Sequence, residues 1–499
     1  MQSQSPRFGE EQLSASSWLD ELEQARRAQQ RLLTLYGDVG ESRLYAILSA
    51  PGQRRVLALP VSAAMTFPDM AGIFPSAARM QRSLRDLTGL QAVGDDVDHR
   101  PWLRHGWPDS YAPLRDTQIL PPPWQDLPYE FVRVHGRGVH EIAVGPIHAG
   151  TIEPGHFHFS VVGEKVLRLE AHLGYKHKGL LQMAQQRSWA QLPALLARFC
   201  GDSTVAVSWA YAQAVEQLAG CSLSMSHELW RALLLERERI ANHLGDLGAL
   251  AQDAGWALGM TWFSSLREQF LRQQKQYFGH RLMMDCIYPG GVKLLAPTQA
   301  LAAMAQACRA LAVDVHKLRQ LYARHDGLQE RFLTTGRISP EQAWRWGATG
   351  LVARAAGIDQ DSRRDLPWGA YHDSPVQVAV HQGGDVAARV ELRFDEVLES
   401  LRLIEQEFLP RLQSEEPLPP ASTTLLRPLA GHAWGSVEAW RGELCVALHV
   451  RDGQLASLHV HDPSWHHWPL LEHAIMDNIV ADFPLINKSF NLAYAGCDL

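Results

Sequence analysis

The stretch GPIHAGTIEPGHFHFSVVGEKV, residues 145–166, decides how the chain is read. Its first half, Gly145 to Gly155, is a loop rich in Gly and Pro that presents one histidine and one carboxylate, His148 and Glu153. Its second half alternates, and HFHFSVV and EKVLRLEA predict two strands around a Gly163-Glu164 turn, with HEIAVGP as a third strand before them. Beyond residue 180 the period changes. Runs rich in Ala, Leu and Arg at 205–220, 226–252, 264–280, 297–325 and 386–412 each predict a substantial helix. Such helices bury their apolar stripes against one another, so a bundle is expected. Further on, Glu443–Val450, Asp452-Gly453 and Gln454–Val460 predict a hairpin. A short helix is expected at 468–482, and the sparsely charged tail SFNLAYAGCDL is expected to dock inside.

Upstream of the loop, Leu44–Leu48 and Val56–Leu59 are short apolar runs that predict buried strands, and 75–90 predicts a helix stopped by Gly89. Two Pro-rich stretches, PPPW at 121–124 and SEEPLPP at 414–420, are expected breaks. The expected fold class is α+β. A small N-terminal α/β domain over 1–125 precedes a domain over 138–499 with a central helical bundle and peripheral β-sheets.

Composition narrows the function classes. A chain of 499 residues, 46% hydrophobic, has core enough for roughly two to four domains. Its 47 Lys and Arg against 54 Asp and Glu leave a net charge of −7 without a basic stripe, which argues against nucleic acid as a partner. No run of about 18 apolar residues occurs, so membrane contact is expected only through partners. The polar opening, Met1 to Arg7, has no apolar core, and no signal peptide is expected. The six cysteines are Cys200, Cys221, Cys286, Cys308, Cys445 and Cys497, and no two form a C-x-x-C pair. A disulfide scaffold, or a thiolate iron–sulfur or zinc site built within the chain, is therefore not expected. The 23 His and 16 Trp are a surplus.

Four clusters carry candidate chemistry. In the loop, His148 and Glu153 suit proton transfer, whereas His156 and His158, on one strand face, offer metal ligands; a turn beside an exposed strand explains them equally. In Tyr175-Lys176-His177-Lys178-Gly179, two lysines flank a histidine, to meet an anion or a partner's carboxylates, or merely to open a solvated helix. In Arg198-Phe199-Cys200-Gly201-Asp202-Ser203, Cys200 is either a thiol activated by Arg198 or an inert buried cysteine. Tyr211, nearby, reads as a core residue with a satisfied hydroxyl. In Glu236-Arg237-Glu238-Arg239, the spacing predicts ion pairs on a helix surface.

These clusters stand in a telling order. GPIHAGTIEPGHFHFSVVGEKV, LGYKHKG, RFCGDSTVAVSWAYAQAVE, LERERIANHL, LREQF with GHRLMMDCIYPGGV, and EAWRGE together resemble the large subunits of nickel–iron hydrogenases and of respiratory complex I. The EPGHF form is most similar to the formate-hydrogenlyase and hydrogenase-4 type. RSLRDLTGLQAVGDDVDHRPWLRHGW and PLRD, upstream, resemble the smaller peripheral-arm subunit fused in those proteins, with a shortened front.

The resemblance implies a core subunit of a membrane-associated complex I-like oxidoreductase, peripheral on the cytoplasmic face of the inner membrane. It implies an iron–sulfur small subunit and antiporter-like membrane subunits as partners. Where the family holds nickel with two cysteine pairs, this chain has Cys200 and Ser203, then Ala493 and Gly496, so no metal held by this chain is expected. Where the complex I branch contacts its quinone, the chain has Gly201 and Ile152. The resemblance then leaves a quinone, or another acceptor, for the vacated cavity near Cys200 and Ser203. His177, Lys178, Cys200 and Asp202 are the residues implied to line the cofactor side. Glu153 resembles a proton-passing glutamate and, with His148, is the implied catalytic pair. Lys178 replaces an arginine, keeping charge but not the planar fork. The alternative is a redox-inactive scaffold docking on the membrane subunits.

Overall fold

The computed structural model describes residues 10–499 apart from 104–106, 109, 121, 124–127, 149–151, 295–299 and 416–428. Parts of both Pro-rich breaks, and Ala149 to Thr151 of the loop, lie outside the described residues. The chain runs β1 (Glu10–Gln12), α1 (Ala15–Arg27), β2 (Arg31–Asp38), β3 (Arg43–Ala50), β4 (Gln53–Pro60), β5 (Thr66–Pro68), α2 (Ala77–Thr88) and β6 (Gln91–Val93). Then come β7 (Val139–Val144), β8 (His156–Val162), β9 (Lys165–His172), α3 (Leu180–Gln185), α4 (Leu192–Leu196), α5 (Thr204–Ala219), α6 (Met225–Asp253) and α7 (Ala257–Phe278). After β10 (Ile287–Tyr288) and β11 (Gly291–Val292) follow α8 (Ala300–Ala323), α9 (Asp326–Phe332), α10 (Pro340–Arg345), α11 (Gly350–Ala355), α12 (Ser362–Asp365) and α13 (Val386–Arg402). The last part holds α14 (Leu409–Ser414), β12 (Gly431–Glu438), β13 (Glu443–Arg451), β14 (Gln454–His461), α15 (Ser464–Ala474), α16 (Phe483–Phe490) and α17 (Ala495–Asp498).

Several small sheets surround the helices, the α+β plan expected. The N-terminal sheet has the order β1-β4-β3-β2, β7-β8-β9 is an antiparallel meander, and β12-β13-β14 is a second one. Ordinary local signals set the ends. Ser14 accepts from the Ser17 N–H to start α1, and Gly89, at φ 78°, stops α2. α6, α7, α8 and α13 pack together as the bundle, and α5 lies across β12 and β13. The N-terminal sheet packs face to face on the last meander through Leu33, Tyr36, Tyr45 and Ile47 against Cys445 and Ala447. Glu443, fully buried, takes Arg31 at 2.5 Å and also Arg54 across this seam.

Three expectations are corrected. The helix expected at 468–482 is α15, which starts earlier, at Ser464, and ends at Ala474, before Asp477 at φ 66°; the next helix, α16, starts only at Phe483, with Pro484 in its first turn. The long helix at 386–412 passes through a π-helical segment, Leu403–Phe408, because Pro410 has no N–H and its ring crowds the preceding turn. Third, the Glu236–Arg239 charges are not on a surface: all four are buried, at 0%, 0%, 4% and 1% exposure. Glu236 accepts from Tyr371 Oη and Ser400 Oγ, both at 2.5 Å, and pairs with Arg363 at 3.1 Å and Arg239 at 3.2 Å. Sequence spacing gave the helical neighbours but not the distant groups that enclose them.

Candidate active site around the buried tail

The loop before β8 and the chain's last turn build one side of the site. Gly145, at φ 86°, admits no side chain, since a Cβ there would stand 2.3 Å from the Gly155 carbonyl oxygen. His148 donates from Nε2 to that carbonyl at 2.8 Å and closes the loop. Glu153 points the other way. It accepts from the Ala495 N–H at 3.2 Å and meets Lys176 Nζ at 3.3 Å, each side chain about a third exposed. His148 and Glu153 thus share a loop but hydrogen-bond to different partners.

Asp498 is the hub of this side, and sequence reasoning passed it over. Its two oxygens accept from the Gly174 and Lys176 N–H groups, each at 2.8 Å. Burial pushes its carboxyl up to about 7, helped by the Glu153 charge, although those two N–H groups and Lys178 pull it down. Its carbonyl takes the His177 Nδ1–H at 2.7 Å, and burial lowers the His177 imidazole, which is neutral as a result. The Lys178 N–H donates to the Leu499 carbonyl at 2.9 Å and its Nζ to the Phe199 carbonyl at 3.3 Å. LGYKHKG therefore clasps the tail, as the polar acid inside an apolar tail would have signalled.

The other side centres on Asp202. Cys200 Sγ donates to Asp202 Oδ1 at 2.9 Å, while Arg441 reaches Asp202 at 2.5 Å and 3.1 Å and Ser203 Oγ at 3.3 Å. Burial pushes the Asp202 carboxyl up, but Arg441 outweighs it and holds the group below the usual carboxylate range. Burial, then Asp202, raises the Cys200 thiol well above its ordinary value. Arg198 does not activate it, being engaged with Asp285 at 2.6 Å. Cys200 is a protonated thiol, the inert reading. Arg441 also donates to the Asn491 carbonyl at 2.5 Å and lies on the Trp440 ring, 3.9 Å from its centroid. Asn242 and Trp440 bind the Asp202 carbonyl at 2.7 Å and 2.8 Å. The Arg441 guanidinium lies against Asp202 and Ser203, beside the place implied as vacated near Cys200 and Ser203.

The nickel ligand positions do not fit the metal. Only Cys200 of the four carries sulfur, and nickel in this setting needs thiolates. A Cβ at Gly496 would stand 2.8 Å from both the Ala493 Cβ and the Asp462 Cγ, so even a cysteine there would not fit unmoved. At Gly201 a side chain would meet only ordinary contacts, Leu282 at 3.5 Å and Met284 at 3.7 Å. Ile152, the other quinone-contact position, is 42% exposed. Tyr211 differs from expectation in one respect: it is buried, but its hydroxyl has no hydrogen-bond partner among the described residues. His156 and His158 lie against Phe131, His158 stacked at 4.3 Å, and His172 is stacked on Tyr129 at 3.8 Å.

The family model described as the respiratory-chain NADH dehydrogenase, 49 Kd subunit, matches residues 253–419. Formate hydrogenlyase subunit 5 of Escherichia coli (strain K12) is 29% identical over 440 residues, 87% of this chain and 77% of that one. An NADH-quinone oxidoreductase subunit of Roseiflexus sp. (strain RS-1) is 30% identical over 321 residues, 63% of this chain and 85% of the relative. A chain in the solved structure of the membrane-bound sulfane sulfur reductase, an archaeal respiratory membrane complex, superimposes with a TM-score of 0.67 at 25% identity. That match covers 73% of this chain and 99% of the other. The chain belongs to the family of the respiratory-chain NADH dehydrogenase 49 Kd subunit, within the group that also includes formate hydrogenlyase large subunits.

Proposed function

We propose that the chain is a core oxidoreductase subunit of a membrane-attached complex I-like assembly. No helix among the described residues is long and apolar enough to cross a membrane, so attachment falls to membrane partners of the antiporter-like kind, on the cytoplasmic face of the inner membrane. Electrons arrive from an iron–sulfur cluster held by a small partner subunit and reduce a quinone or another acceptor beside Cys200, Asp202 and Arg441. This chain's own part is to hold charge and protons. Arg441 places a fixed cation next to the reduction site, and the Asp498 carboxyl exchanges a proton near neutral pH between the Glu153 side and the His177 side. The observation that carries the reading is Asp498, pushed up to about 7 and hydrogen-bonded within the clasp that joins Glu153, Lys176 and His177. The test is turnover of the purified assembly. Glu153→Gln, His148→Ala and Asp498→Asn variants are expected to lose activity with the electron input intact, and full activity in the first two would overturn the reading.

A second reading is favoured by one observation, the Arg441 guanidinium that ties Asp202 and Ser203 together where the family holds its metal. In it the chain is a redox-inactive scaffold for the membrane subunits. Electron paramagnetic resonance of the purified assembly separates the two: iron–sulfur signals from a small partner support the first reading, and their absence supports the scaffold.

A further inference from the structure

Away from the tail site, the seam between the N-terminal sheet and the last meander holds a polar cluster that the redox reading does not use. His432 on β12 and His449 on β13 stand directly opposite in the antiparallel register, so the backbone itself sets their rings side by side. The rings stack at 4.0 Å between centroids with 7° between planes. Two carboxylates close in from the β2–β3 turn. Asp38, 1% exposed, meets His449 Nδ1 at 2.7 Å, and Glu41 meets His432 Nε2 at 2.9 Å and His449 Nε2 at 3.3 Å. Ser457 Oγ donates to Asp38 at 2.9 Å and the Glu41 N–H to its other oxygen at 3.0 Å. Tyr45 Oη donates to Glu41 at 3.2 Å, and Arg451 lies 3.7 Å from Glu41.

We propose that Asp38, His432 and His449 form a site for a divalent transition-metal ion of the zinc type, which ties the β2–β3 turn to the last sheet. One ligand atom from each lies within 4.8 Å of the other two. Tetrahedral zinc with ligands at about 2.0–2.1 Å separates them by roughly 3.4 Å, a contraction that side-chain rotation supplies. Two imidazoles and one carboxylate match the borderline character of zinc and leave a fourth position for water on the side nearer solvent, where His432 retains 19% of its side-chain exposure. A dication also balances Asp38 and Glu41, and Glu41 takes the part of the carboxylate that orients ligand imidazoles. The expectation of no metal in this chain rested on its cysteines, and this donor set contains none.

The test uses the full chain after dialysis against a chelator. Addition of Co2+ is expected to produce ligand-field absorption bands that saturate at one equivalent per chain and are bleached by Zn2+, a readout that needs no variant. The His432→Gln/His449→Gln double variant is expected to lose this binding, and Glu41→Gln to weaken it about 10- to 100-fold. Absence of saturable bands at one equivalent in the unaltered chain would overturn the site and leave the cluster an ionic clamp. So would binding unchanged in a folded double variant.

Discussion

At Asp498 the energetic question is what a carboxyl gains by remaining protonated. Its folded value, about 7, lies above the ordinary value of 3.8, so the stability it contributes is complete below that lower value and is lost as pH rises through 7. The stability difference between wild type and Asp498→Asn is therefore expected to shrink by roughly 1.4 kcal/mol between pH 6 and 8, read from urea midpoints at each pH. Arg441 presents the opposite case. Arg441→Met takes the cation from Asp202, whose side chain is 32% exposed, and is expected to cost about 1–3 kcal/mol, visible as a lowered melting midpoint. Gly496→Cys forces a Cβ against Asp462 and Ala493 and is expected to cost about 1–3 kcal/mol, with no nickel retained. The absence of the cysteines at 203, 493 and 496 was legible in the sequence. The arginine that lies against Asp202 and Ser203 was not, because nothing in EAWRGE tells which way Arg441 points.

Helix α6 shows how far an element can be read from its own residues. Its residue pattern predicts it over 226–252, and it runs Met225–Asp253, with Ser224 accepting from the His227 N–H at its start. Its sidedness does not follow, since the groups that make Glu236 tolerable in a core, Arg363, Tyr371 and Ser400, come from elements more than 120 residues away. Arg237, one residue on, is equally buried, yet its three nitrogens find no hydrogen-bond acceptor among the described residues, and it rests on the Phe270 ring at 4.1 Å. Burial lowers its guanidinium to about 10. Neighbours on one helix thus predict opposite outcomes. Glu236→Gln is expected to destabilise by about 3–5 kcal/mol, and Arg237→Met to be neutral or to stabilise by about 1–4 kcal/mol, both measured by chemical denaturation.

Across the whole molecule, part of the surplus of histidine is a packing matter. His461 and His467 are buried at 1% and 0% exposure where the N-terminal sheet, the last meander and α15 meet. Burial lowers both, His467 to about 3 and His461 well below its ordinary 6.5. For a depressed histidine, stability is present above 6.5 and lost as pH falls toward the folded value. A His461→Asn/His467→Asn chain is therefore expected to lose less stability on acidification, by roughly 2.7 kcal/mol per pH unit below about pH 6, while the two profiles run parallel above 6.5. The α+β plan, the first meander, the hairpin of the last one and the bundle were legible from period and turn residues, whereas strand β12 was not. The continuity of the core across the N-terminal sheet was not, because it depends on Glu443 pairing with Arg31 and Arg54, about 390 to 410 positions earlier.

The crowding at Gly496 also bears on the order in which sequences of this kind can change. Asp462 occupies the volume that a side chain at 496 would need, and it is itself tied to the start of α15 through the Ser464 N–H at 2.8 Å. Making Asp462 smaller does not by itself open the position, because the Ala493 Cβ and the Asp462 Cβ would still stand 2.8 Å and 2.9 Å from a Cβ at 496. Substitutions at 462, 493 and 496 are thus epistatic, and a thiolate at 496 needs several neighbours to move although each change is chemically small.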